Sequence, residues 1–337
     1  MNTLYLLVNF GGPRNRAEVE PFLKALLCDK DVIRTCLPQM LHNVFFSRIA
    51  KKRAEKIAED YALIGGKSPI FDDTEAIGAA LRSSLKSAVL TFHRYIPATH
   101  SAFYKSITEG SFDEIRVLPL FPQFSFATTG SIARWFSKNL PSSVVNKMRW
   151  VKSYFNHPSY IAACIETLKS FLAKEKLKEE ECLLFFSAHG LPKDFIEKGD
   201  LYQQECLITY ENVANAFPLA SNLIAYQSQF GRKEWIRPYT VDVCQSIRTY
   251  AQGKKHVVFF PLSFTSDHIE TLFEVEYQYL PLIREQGLNA YRCPALNLRS
   301  DWLESLAVIL EDVSFHSNSS LVFTGRKSGN SSNNIRN

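Results

Sequence analysis

Residues Phe264 to Tyr279, FTSDHIETLFEVEYQY, carry acids at a spacing suited to handling a cation or a proton. At about 100° per residue, Asp267, Glu270, Glu274 and Gln278 fall within roughly 80° of one another on a helix, while Glu276 points to the opposite side. Ile269, Leu272, Phe273, Val275 and Tyr279 make the stretch too apolar for an ordinary surface helix, so its acids are expected to face an internal cleft. Carboxylates at successive turns repel one another and are costly to desolvate, which a metal cation or a transferable proton offsets. The same residues also fit a half-exposed helix whose first-turn acids are hydrated and favoured by the helix dipole. The second reactive position is His189, in Ser187-Ala188-His189-Gly190-Leu191-Pro192 directly after the apolar run LLFF. With small neighbours and a glycine behind it, its ring is pushed outward as a base or a metal ligand, a satisfied structural histidine being the alternative. One imidazole and one carboxylate, His189 and Glu270, leave coordination positions open, as transient contact with a divalent ion requires. Asp267, Glu274 and His268 would continue outward as hydrated acceptors.

The elements that must position these groups alternate between strand and helix. Leu4 to Phe10 is an apolar run ended by Gly11-Gly12-Pro13, and helical spacing follows from Ala17 to Leu27. Strands are expected at Ala88 to His93, Glu114 to Leu120 and Met148 to Ser153 in the first half. Cys182 to Ser187, Asn222 to Tyr226 and His256 to Phe260 are expected as strands in the second half, with helices between. This pattern predicts an α/β fold of parallel sheets covered on both faces, with ligands bound beyond the carboxyl ends of the strands. Residues 1–152 are read as one domain, 153–299 as a second, 300–313 as a closing helix and 314–337 as a disordered tail rich in Ser and Asn. His189 and Glu270 would begin at corresponding points after two strands of the same sheet.

Composition narrows the partners. The chain of 337 residues has 46% hydrophobic residues and a net charge of +5, with Lys and Arg matched by acids along most of its length. Neither nucleic acid nor a charged membrane surface is demanded by that balance. Seven cysteines are scattered without a C-x-x-C pair, which indicates neither a disulfide framework nor a thiolate cluster. Without a signal-like start or an apolar run of transmembrane length, the reading is a cytoplasmic protein. Apolar residues from Leu37 to Phe46 are read as core, with peripheral contact to a membrane as the alternative. No dinucleotide fingerprint follows the first strand, and Gly65-Gly66-Lys67-Ser68 lacks the first glycine of a phosphate loop. A ligand bearing carboxylates would instead use Arg53 and Ser68 together. Aromatic residues gather at the strand ends: Phe10, Tyr95 after Arg94, Phe124, Phe126, Trp235 and Phe264. A large flat apolar ligand with acidic edges would use such walls.

The chain resembles the ferrochelatases, which insert ferrous iron into a porphyrin late in haem synthesis. The resemblance runs from VNFGGP through YALIGGKSPI, PQFSFATTGS and FFSAHGLP to FTSDHIETLFE, and SAHGLP followed by KGDLY is its most specific part. It implies two Rossmann-like chelatase domains, each a parallel sheet flanked by helices, with the porphyrin cleft between them. It also implies π-type turns in the acid stretch, where about 4.4 residues per turn would align acids four apart more closely. By resemblance His189 and Glu270 are the catalytic pair, and His189, Glu270, Asp267 and Glu274 handle the metal. Arg53 and Ser68 match residues that hold propionates, with Tyr61 and Lys56 nearby. Phe10, Arg94, Tyr95, Trp235 and Phe264 match residues around the macrocycle. The implied reaction is insertion of Fe2+ into protoporphyrin IX to give protohaem with release of two protons, by a monomer with no resident cofactor. Use of coproporphyrin III, chelation of another metal and non-catalytic porphyrin carriage are the alternatives; relatives that use coproporphyrin tend to have Tyr where this chain has Phe10. Gln278 stands where some relatives have an acid. Phe126 stands where animal enzymes supply a cysteine to an iron-sulfur cluster, so no cluster is expected.

Overall fold

The strand runs of the two halves build two sheets of the same design. The computed structural model describes residues 2–231 and 233–323. β1 (Thr3–Asn9), β2 (Ala88–His93), β3 (Glu114–Pro119) and β4 (Met148–Val151) lie parallel in the order β2-β1-β3-β4. β5 (Cys182–His189), β6 (Ser221–Gln227), β7 (His256–Pro261) and β8 (Asn289–Arg292) repeat it as β6-β5-β7-β8. This is the α/β class expected from the alternation. β1 and β5 are nearly unbroken apolar runs because a central parallel strand has helices over both faces and no polar side. Phe185 and Phe259, on neighbouring strands, stack at 4.1 Å.

The halves are joined through a shared core. Leu7, Ile77 and Leu118 of the first pack in one cluster with Leu184, Phe186 and Phe260 of the second. The helix Ser300–Asp312 closes this seam, burying Trp302 beside Tyr154 and Tyr160. A second apolar cluster lies between the helices Val19–Leu27 and Gln39–Ala62, and Ile269 of the acid stretch packs onto it. That contact brings the acid stretch to the first half.

The expectation of disorder from residue 314 is corrected for residues 314–323. β9 (Phe315–His316) pairs antiparallel with β4, Asn318 donates to the Ala133 carbonyl at 3.0 Å, and Leu321 is fully buried. The open edge of β4 supplies unpaired backbone groups and Leu321 an apolar anchor, both of which outweigh the polar composition. The rest of that expected tail lies outside the described residues. The core reading of Leu37 to Phe46 is corrected in part: His42 and Phe46 are buried, but Leu37, Met40, Leu41, Val44 and Phe45 are exposed. No helix among the described residues is long and apolar enough to cross a membrane.

Candidate functional site

β5 ends at His189, and the turn beyond it is shaped by close backbone approach. A Cβ on Gly190 would lie 2.7 Å from the Gln227 carbonyl and 2.9 Å from the Trp235 ring, so glycine is required there. Tyr202 donates to the His189 carbonyl at 2.9 Å, and the His189 amide donates to Ser263 Oγ at 3.0 Å. The ring is thereby aimed outward, with Nδ1 2.7 Å from Glu270 Oε2. The side chains are 38% and 22% exposed, respectively, which places the pair on the floor of an open cleft. Trp235 and Phe264 stand edge-on to the imidazole, at 6.2 and 6.4 Å.

Glu270 opens a π-helix that runs to Tyr279, with the Leu280 amide donating to the Val275 carbonyl. This wide winding is uncommon and tends to mark functional sites. Ser228, just past β6, connects its acids: its hydroxyl is 2.6 Å from Glu274 Oε2 and 3.2 Å from Glu270 Oε2. It does so from a left-handed backbone conformation, φ +64°, a strained state for serine. Tyr279 adds a hydrogen bond to Glu274 at 3.3 Å. Burial disfavours the charge of Glu270, but the imidazolium and hydrogen bond of His189 outweigh it and pull the carboxyl down to about 2. Burial likewise works against His189, yet Glu270 holds its proton above the ordinary histidine range. Glu274 has no such cation; burial and the neighbouring Glu270 charge push it up to about 7. The pair is therefore imidazolium and carboxylate, with a protonatable acid beside it.

Asp267 does not continue this line. Its oxygens accept from Arg292 (3.0 Å), Thr271 (2.7 Å) and Asn297 (2.8 Å), so its lone pairs are already used inside the protein. Among the described residues no three His, Cys, Asp or Glu side chains converge to hold an ion. Glu276, on the opposite side from the other acids of an α-helical wheel, is joined by Arg292 to Asp267, which lies in the coil before the helix.

In the first half, Phe10 follows β1 and leans on Tyr95 (5.2 Å) and Phe121 (4.8 Å), partly exposed. Arg94 and Tyr95, expected around the ligand, are engaged inside the protein instead. Arg94 pairs with Asp29 at 2.7 Å, Tyr95 donates to the same carboxylate at 3.0 Å, and Tyr95 has no exposed surface. The physical reason is Asp29, a buried acid that needs both donors. Tyr61 is buried beside Ser68 and Glu270, and burial, followed by the Glu270 charge, raises its pKa. Ser68 is itself buried under Gly12, its hydroxyl without a partner, while Arg53 is exposed, its guanidinium 5.1 Å over Phe230. Arg53 and Ser68 therefore do not share one surface. Phe126 packs on Phe124 and Phe323.

A family model, Ferrochelatase, matches residues 4–313. The chain belongs to the ferrochelatase family. A Chlamydia abortus ferrochelatase is 42% identical over 323 residues, spanning 96% of this chain and 99% of that protein. A Chlamydia trachomatis serovar A ferrochelatase is 42% identical over 306 residues, or 91% and 94% of the two chains. Solved chelatase structures share the fold at low identity. CbiX, the terminal enzyme of sirohaem biosynthesis in denitrifying bacteria, aligns with a TM-score of 0.51 at 12% identity, covering 93% of this chain and 100% of that one. SirB from Bacillus subtilis with Fe3+ gives 0.51 at 12%, covering 95% and 98%. As a ferrochelatase the chain is a metal chelatase of the lyase class, acting on a porphyrin in haem biosynthesis.

Sequence reading of this ferrochelatase did not single out Ser228, Arg292 or Asp29. Ser228 had one available signal, its place directly after β6 beside the end of β5. His268, read only as an outward acceptor, is 4.0 Å from the same Glu270 oxygen that His189 meets and packs on Phe264 at 4.3 Å. Burial lowers its pKa, so it stands neutral beside a charged His189.

Proposed function

We propose that the chain inserts ferrous iron into protoporphyrin IX, forming protohaem and releasing two protons. The observation that carries the chemistry is the hydrogen-bonded series from His189 Nδ1 to Glu270, Ser228 and Glu274 on the cleft floor. A flat porphyrin resists insertion because its pyrrole N–H groups occupy the hole and hydrated iron must shed water. Binding energy from Phe10, Trp235 and Phe264 on the macrocycle bends it and exposes the nitrogen lone pairs. A divalent cation arriving near the pair repels the imidazolium proton and stabilises the Glu270 carboxylate. The cleft-facing Nε2 proton of the imidazolium leaves to water while Nδ1–H stays on Glu270, and Ser228 joins Glu270 to Glu274, which gains and loses protons near neutral pH. His189 Nε2, without a hydrogen bond among the described residues, then accepts a pyrrole proton.

Two features support protoporphyrin over coproporphyrin. Phe10 offers no hydroxyl at the wall where coproporphyrin-using relatives tend to have tyrosine. Arg94, next to the Tyr95 that packs on Phe10, is tied to Asp29 and is not free to hold an extra propionate. Anaerobic ferrous insertion into the two porphyrins, side by side, tests this: kcat/KM is expected to favour protoporphyrin by about tenfold or more. A preference for coproporphyrin overturns the substrate assignment. The exposed apolar residues Leu37, Met40, Leu41, Val44 and Phe45 support peripheral contact with a membrane, since a monomer seldom leaves such a patch uncovered.

A further inference from the structure

Arg292 ends β8 and is only 17% exposed, with its guanidinium between two carboxylates. Nη1 is 3.0 Å from Asp267 Oδ1, and Nε is 3.1 Å from Glu276 Oε1. Asp267 lies in the coil that leads into the helix and Glu276 lies inside it, so the guanidinium ties the middle of the wide winding to the segment before it. The winding itself is read in Glu274 and Tyr279. Five α positions separate them by about 140°, whereas the wide winding lets the phenol reach the carboxylate.

We propose that Arg292 is a positioning residue for metal insertion. Its bridge from Asp267 to Glu276 holds Glu270–Tyr279 in the wide winding, and so holds Glu274 against Ser228 and Tyr279. The proposal rests on the roles given above to Glu270 and Glu274. A ten-residue π-helix is far longer than the single-turn bulges usually seen and needs tertiary contacts to hold it open. Val275 and Tyr279 anchor its buried side in the apolar cluster below. Arg292 supplies the polar contact on the other side, where Asn297 and Thr271 fix Asp267 as the immobile end of the bridge. Asp267 thus serves the site by holding Arg292.

The test compares Arg292→Met, Arg292→Lys and Glu276→Gln in the full chain, with Glu270→Gln alongside. Arg292→Met is expected to lower kcat for iron insertion about tenfold or more while KM and affinity for the porphyrin stay within about twofold. Lysine, a point charge unable to span both acids, recovers only part of kcat. Glu276→Gln acts in the same direction by less, and the Arg292→Met, Glu276→Gln double variant is no worse than Arg292→Met alone, because both cut one bridge. A lowered melting temperature with unchanged kcat, or losses that add in the double variant, overturns the proposal. Should Arg292→Met fail to fold, Glu276→Gln decides, since its side chain is 38% exposed and its loss is tolerable: an unchanged kcat overturns the bridge. Full kcat in Glu270→Gln overturns the site reading and this proposal with it. Collapse in Glu270→Gln with full kcat in Arg292→Met overturns the bridge alone.

Discussion

The two sheets have the same strand order, yet their carboxyl ends treat polar groups in opposite ways. Phe10-Gly11 just after β1 and His189-Gly190 at the end of β5 occupy corresponding places in the two halves. Around Phe10 the charges are closed off: Arg94 and Tyr95 on Asp29, His93 on Glu75 at 2.7 Å. Around His189 they are left facing the cleft, with Glu270 as the partner and Glu274 and Ser228 behind it. One half therefore presents an apolar wall on a rigid polar support, and the other presents exchangeable protons. A duplicated scaffold becomes asymmetric by where its acids sit: Asp29 lies on a loop that covers Arg94 and Tyr95, and Glu270 on a helix that brings it to His189.

The sharpest way to break this contrast is to remove the open imidazole. His189→Ala is expected to lower kcat about a hundredfold or more, with porphyrin affinity nearly unchanged, as steady-state kinetics and fluorescence titration would report. Equal losses in binding and turnover would instead make His189 part of the wall. Treating the closed half the same way should give the opposite pattern. Arg94→Met leaves Asp29 buried with neutral donors only and is expected to cost about 3 kcal/mol of stability by denaturant unfolding, with kcat on folded protein within about threefold. A large fall in kcat would show that Arg94 reaches the reaction after all.

These outcomes also mark how much could be read beforehand. His189 and Glu270 were legible because each follows an apolar strand at a point where open sheets bind ligands. Arg94 and Tyr95 were misplaced because the acid that closes them off, Asp29, lies on a distant loop whose path no local pattern reveals. Ser228 depends on a left-handed backbone turn, which serine does not advertise. Glu276 was set apart from Asp267 because both were read on one helix, whereas Asp267 lies in the coil before it and Arg292, distant in sequence, links the two. The closing strand Phe315–His316 was hidden by its polar neighbours, since edge pairing uses backbone groups.

A smaller effect tests the seam that sets the two halves against each other. Glu205, 5% exposed, accepts from the Phe124 amide at 2.7 Å, joining the second half to a loop of the first. Burial is the largest influence and pushes its carboxyl up to about 7. Because the folded state binds this proton more tightly than the unfolded chain, the contribution of Glu205 to stability falls as pH rises from about 4.5 to about 7 and is level beyond. Glu205→Gln keeps an acceptor for Phe124 without the charge. It is expected to be more stable than wild type by on the order of 1 to 2 kcal/mol above pH 7, with the gap closing below about pH 4.5. A gap independent of pH would mean that Glu205 does not titrate at the seam.

The central claim is that the open half performs the chemistry through Glu270, and anaerobic ferrous insertion by Glu270→Gln tests it most directly, with porphyrin affinity measured on the same samples. The account expects affinity within a few-fold of wild type and turnover lower by about a hundredfold or more, because the glutamine can neither stabilise the cation nor carry the proton away. Undiminished turnover in that variant would contradict it.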